Sequence, residues 1–170
     1  MRSPEIIESD LKTNTDKLLD FLNICNNLQI STKPASGGWS IKECFEHLYI
    51  IENRIASCFQ EDIKENNRDP EHEITMIRDV LNNMERKYQA PDNILPTGTI
   101  DDMAVAKSEF SQNRDSLIEK GNQTDWRDAC MGLRHWGFGI LTKIEWVYLC
   151  IYHAERHLRQ IQNALQKSNM

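Results

Sequence analysis

Little in this chain bends or breaks a helix, since only 7 glycines and 5 prolines stand among its 170 residues. No tract alternates apolar and polar residues with the period of two that a half-buried strand needs, so strands are not expected. No apolar run approaches the ~20 residues of a membrane span. The opening Met1-Arg2-Ser3-Pro4-Glu5 lacks the apolar stretch of a secretory signal, so a cytoplasmic location with no membrane partner is expected. Bases are outnumbered, 20 Lys+Arg against 26 Asp+Glu for a net charge of −6. They form no block and do not interleave with aromatics, which argues against a nucleic-acid partner. The 5 cysteines, Cys25, Cys44, Cys58, Cys130 and Cys150, are odd in number and form no CxxC pair, and they read as reduced core residues. A chain of this length buries a core without disulfides, and one domain over residues 1–170 is expected.

Four amphipathic helical blocks remain. The first opens on Ser3 as N-cap with Pro4 behind it, carries Ile7, Leu11, Leu18, Leu22 and Cys25, and should end near Leu28. After a loop with Pro34, Gly37 and Gly38, Ser40-Ile41-Lys42-Glu43 forms a capping box, with Trp39 placed to pack against the first turn. The second block follows with Ile41, Cys44, Leu48, Ile51, Ile55 and Phe59 on one face. From Glu61 to Asp101 the pattern loosens into a long crossover, with room for a shorter helix from Ile74 to Lys87. The third block starts at Thr99-Ile100-Asp101-Asp102 and stops at Lys120-Gly121, a basic last turn and a glycine. Residues 126–139 are rich in Trp, Phe and Gly and are expected to pack across one end. Thr142-Lys143-Ile144-Glu145 caps the fourth block, which runs to about Gln166. The expected fold is an all-α four-helix bundle.

The fourth block carries a further signal. Trp146, Cys150, His153, Ala154, His157, Leu158, Ile161 and Leu165 make a 3-4 stripe, so His153 and His157 share its inward face. Burying an imidazole leaves ring nitrogens in need of partners. The metalloprotease HExxH pattern does not apply, because Glu155 sits two residues after His153 and about 200° around the helix from it, facing outward. On the second block His47 lies on the same face as Cys44 and Ile51. If the two blocks are neighbours, three imidazoles converge, and three neutral nitrogens with one open position describe a catalytic type of metal centre. Cys150, one turn before His153, fits core packing better than ligation. Glu43 could orient His47 or act as a base, although its place in the capping box already accounts for it. His135 could line the mouth of the site or pack against its neighbours, and His72, among charges, reads as solvated.

Two stretches resemble the signatures of the DinB-like (YfiT-like) family: Trp39-Ser40-Ile41-Lys42-Glu43-Cys44-Phe45-Glu46-His47-Leu48 and His153-Ala154-Glu155-Arg156-His157-Leu158-Arg159-Gln160-Ile161. Lys87 to Pro91 and Gly139 to Thr142 are similar to weaker landmarks of the same family. The resemblance implies an up-down-down-up bundle with a long crossover between helices 2 and 3. It also implies a divalent metal on His47, His153 and His157, with zinc or nickel favoured over iron or manganese, and a homodimer. It further implies a small-molecule substrate and a low-molecular-weight thiol, as in a thiol S-transferase, with a metal-dependent hydrolase or a non-catalytic metal-binding protein as alternatives. Fold transfers across such families more readily than activity.

Overall fold

The computed structural model describes residues 1–34 and 37–168, with side chains through Gln166. Four long helices account for most of it: α1 (Pro4–Ile24), α3 (Ile41–Cys58), α5 (Met103–Asn122) and α6 (Lys143–Ser168). A short α2 (Asn27–Ser31) follows α1, and α4 (Ile74–Asn82) and a 3-10 turn (Asp92–Ile94) lie between α3 and α5. Ser3 and Pro4 begin α1 as the sequence predicts. That helix stops at Ile24 and not near Leu28, because Asn26 starts a new capping box with Gln29, each side chain accepting from the other's backbone amide at 2.9 Å. The boxes Ser40–Glu43 and Thr142–Glu145 start α3 and α6 where expected.

Helix α4 is shorter than the Ile74 to Lys87 stretch suggests. Asn83 leaves the helix, and its Oδ1 accepts from the amides of Glu85 and Arg86 at 3.1 and 3.3 Å. Gly121 does not end α5, which continues to Asn122. Its lack of a side chain has another cause: a Cβ there would sit 2.2 Å from the indole of Trp126. The expectation of an all-α chain is also corrected, because β1 (Ile63–Lys64), β2 (Ala129–His135) and β3 (Gly139–Thr142) form a small antiparallel sheet in that order. Ile63 pairs with Cys130, Ala129 with Thr142 and Arg134 with Ile140, and the register shifts between Ala129 and Arg134. That irregularity removes the alternation a sequence reading relies on. The sheet packs across one end of the helices, as residues 126–139 were expected to do.

The core has two apolar clusters. One, beside the sheet, includes Ile7, Leu11, Ile55, Phe59, Leu117, Val147 and Ile151. The other includes Leu18, Leu22, Phe45, Leu48, Phe110, Ala154 and Leu158. Between them, on three of the same helices, lies a buried polar layer of Asn14, Thr15, Glu52 and Arg114. Arg114 donates to both oxygens of Glu52 at 2.7 Å, to Asn14 Oδ1 at 2.8 Å and to Thr15 Oγ1 at 3.0 Å. Cys150 is in the first cluster, and all five cysteines are free. No helix among the described residues is long and apolar enough to cross a membrane.

Candidate metal centre

Three of the chain's histidines meet between α3 and α6. One ring nitrogen from each of His47, His153 and His157 lies within 4.8 Å of the others. Helical geometry accounts for the pair on α6, where residues four apart stack on one face and bring the two Nε2 atoms to 3.0 Å. His47 reaches them from the second turn of α3, its ring centroid 5.2 Å from that of His153 and 5.1 Å from that of His157. His47 and His157 are buried and His153 is half-buried.

The hydrogen bonds around the rings suit a cation. His47 Nδ1 lies 2.7 Å from the carbonyl oxygen of Ile94, so it carries the proton and donates, leaving Nε2 with its lone pair. His153 and His157 point Nε2 at Nε2, and a proton or a positive ion must lie between two such lone pairs. His157 Nδ1 is buried with no hydrogen-bond partner in good geometry. The imidazoles are also held neutral, which is the form a metal takes. Burial lowers the pKa of His47, with the Ile94 carbonyl opposing. Burial pushes His157 down to about 3, with His47 and Arg156 adding to the effect. Burial, then the two neighbouring imidazoles, holds His153 well below the usual value. Three neutral nitrogen donors facing one point fit zinc, nickel or another divalent ion that accepts imidazole.

Two buried charged residues beside the histidines, which the sequence reading passed over, tie down neighbouring segments. Glu46, beside His47, is 1% exposed. It accepts from the amides of Thr97, Gly98 and Thr99 at 3.1, 2.9 and 2.9 Å and from both threonine hydroxyls at 2.9 Å. Burial opposes its ionisation, but the bonds from Thr99, Thr97 and Gly98 outweigh that and hold its carboxyl below the usual range. Gly98 has φ +77°, a conformation that turns its amide onto the carboxylate and that other residues adopt with strain. This clamp fixes the segment whose Ile94 carbonyl orients His47. Arg156, 5% exposed, caps the end of α4 by donating to the carbonyls of Leu81, Asn83 and Arg86 at 3.0, 2.7 and 2.5 Å. In the sequence, Glu46 looks like any glutamate on a helix, and its partners lie more than fifty residues away.

The other candidates separate clearly. Trp39 turns toward the histidines, its centroid 4.8 Å from His47 and 6.2 Å from His157. Glu43 stays with its cap, accepting from the Ser40 amide at 2.8 Å, and pairs with Lys33 at 2.9 Å. Glu155 is half-buried and does not reach the site, and His72 is exposed. His135 does not join the cluster. Its Nδ1 accepts from the amides of Gly137 and Phe138 at 3.1 Å, which leaves the proton on Nε2, and burial lowers its pKa to about 4. Beside the three imidazoles opens a cavity of about 1490 Å³, which His135, Trp39 and Lys87 to Pro91 also line.

The model of the DinB superfamily matches residues 10–161. YuaE of Bacillus subtilis (strain 168), an uncharacterized protein, is 26% identical over 140 residues, 82% of this chain and 85% of its own. Two solved structures share the fold. YfiT of Bacillus subtilis, described as a probable metal-dependent hydrolase with an unusual four-helix bundle topology, superposes with a TM-score of 0.66 at 14% identity, over 98% of this chain and 87% of that one. TT2238, a four-helix bundle protein, gives 0.60 at 16% identity over 95% and 99%.

Proposed function

This chain belongs to the DinB superfamily, and from that premise we propose that it is a divalent-metal-dependent enzyme that joins a low-molecular-weight thiol to an electrophilic small molecule. His47, His153 and His157 would hold the ion, zinc or nickel being favoured by the donor set. The observation that carries the reading is the convergence of three neutral imidazoles at the side of a deep cavity. The helix courses support the family's up-down-down-up order. Along α1 and α6 the sheet-side cluster comes first, and along α3 and α5 it comes last.

Two features favour a thiol reaction between two small molecules. The cavity, at about 1490 Å³, exceeds the ~300–1,000 Å³ typical of a pocket for one ligand. Among the described residues no aspartate or glutamate lines it, so none of their carboxylates stands ready to take a proton from water. A thiol ionises close to neutrality, near ~8.5, and needs less help. When bound, the ion would lower the pKa of a thiol or water brought to it. The protein's own part is to keep the imidazoles neutral, to hold His47 by the Ile94 carbonyl and to wall the site with Trp39.

Elemental analysis and titration test the reading. Wild type should take up near-equimolar metal, and His153→Ala should lose at least about 100-fold in affinity while keeping its helicity. Bacillithiol, glutathione and cysteine should then be offered with a chromogenic aryl halide or an epoxide. Metal-dependent turnover with one of them supports the transferase. Turnover of an ester or amide without any thiol moves the assignment to hydrolase, the description attached to YfiT. No reaction from fully metallated protein leaves a metal-binding protein without catalysis.

A further inference from the structure

The cavity wall has one sign of charge. Lys33, Arg54, Arg86, Lys87, Arg134 and Arg156 all line it, and no acid among the described residues does, in a chain where acids outnumber bases 26 to 20. Three of the six are engaged. Lys33 pairs with Glu43, Arg54 donates to the Asn93 carbonyl at 3.4 Å, and Arg156 serves the end of α4. The side chains of Arg86, Lys87 and Arg134 have no carboxylate or hydrogen-bond partner among the described residues. They come from two segments, the loop after α4 and the end of β2. Tyr88 and Trp136, with ring centroids 6.2 Å apart, bring those segments side by side. Below them the wall is apolar, with Met84, Leu133, Phe138 and Trp146.

We propose that the small molecule reacting at the histidine centre is an amphipathic organic anion, whose acidic group seats on Arg86, Lys87 and Arg134 while its apolar part lies against the wall below. Arg86, Lys87 and Arg134 are exposed on the cavity wall, so solvent screens part of their field, but cations that no acid opposes on a concave surface still draw an anion to it. Guanidinium groups offer paired donors that match a carboxylate, sulfonate or phosphate. The subsite is separate from the imidazoles, so it selects and aligns the substrate and leaves the metal position free. The proposal extends the enzyme reading given above and takes its reacting end from it.

The test uses two fluorescent probes of nearly one shape, the anion 1-anilinonaphthalene-8-sulfonate and its neutral parent N-phenyl-1-naphthylamine, titrated into metal-free protein. Arg86→Gln/Lys87→Gln/Arg134→Gln should weaken the sulfonate about tenfold and change the neutral probe by less than about twofold. Raising salt should weaken the sulfonate in wild type and have little effect in the variant. Arg86→Lys/Arg134→Lys, which keeps the charge but loses the paired donors, should bind the neutral probe as wild type does, showing that the cavity is intact, and should weaken the sulfonate by less than the glutamine variant does. A sulfonate affinity unchanged in the glutamine variant, an equal loss for both probes, or no sulfonate binding to wild type would each overturn the proposal. Since neither metal nor turnover enters the readout, metal uptake measured on separate aliquots of the same proteins reports independently on the enzyme reading.

Discussion

Two groups of buried polar side chains lie close together along the same bundle, and they are satisfied to different degrees. In the layer of Asn14, Thr15, Glu52 and Arg114 every bond drawn has its acceptor, and the network joins four helices, since Asn14 also donates to the Ile151 carbonyl at 3.2 Å. In the histidine group, two Nε2 atoms face each other at 3.0 Å and His157 Nδ1 has no partner in good geometry. A closed network is complete without anything else, and it ties the helices in one arrangement. An open one costs free energy in the protein alone, and that cost is recovered only when something binds. The first group is therefore closed within the fold, and the second leaves ring nitrogens that a bound ion could complete.

The sharpest way to break this contrast is to cut the closed network. Arg114→Met leaves Glu52 buried and unpaired and should cost about 3–5 kcal/mol in urea unfolding, while the metal affinity of the folded fraction stays within a few-fold. Adding Glu52→Leu should recover a large part of the loss, because the remaining charge goes as well. A single variant as stable as wild type would show that the layer does not hold the fold together.

A smaller effect is expected at the clamp beside His47. Glu46→Gln keeps an acceptor oxygen but turns an amide N–H₂ toward backbone N–H donors. The loop should loosen and Ile94 should orient His47 less well, lowering metal affinity about 10–100-fold, as loss of an outer partner does in other metal sites. Isothermal titration reads this directly. Weakened stability with unchanged metal affinity would separate the clamp from the site.

The smallest effect concerns protons. The pKa values of His47, His153 and His157 are lowered in the folded chain, so the unfolded chain takes up protons first. Their contribution to apoprotein stability should thus fall as pH drops below about 6.5, and the part due to His157 should level off near about 3. A melting curve against pH should be flatter for His153→Ala/His157→Ala than for wild type. Equal slopes would mean that the imidazoles are not held neutral by the fold.

The histidine centre was legible in the sequence because helical periodicity is a local property. Spacing of four put His153 and His157 on one face, and the apolar stripe said that face points inward. The capping boxes at Ser40 and Thr142 were legible for the same reason. What escaped depends on partners far along the chain. Arg114 and Arg156 carry no local sign of burial, and only the assembled bundle supplies the carboxylate and carbonyls that pair with them. The strands escaped because the register shift between Ala129 and Arg134 hides their alternation. Gly121 was misread because a glycine near the end of a helix suits a C-cap, and nothing local shows that an indole five residues on occupies its place.

That glycine also decides how the rim over the cavity is mounted. The Trp126 ring fills the space over Gly121, its Nε1 donates to Asn122 at 3.0 Å, and its carbonyl accepts from the Ile144 amide at 3.3 Å. One side chain thus works as a key in a socket, locking the end of α5 to the start of α6 just where the hairpin of β2 and β3 departs. The base of the hairpin is anchored there, while its far turn carries His135 and the exposed Trp136 to the cavity. An adjustment of that rim to a bound molecule would fall first to the three residues of the turn, 136–138, which lie farthest from that anchor.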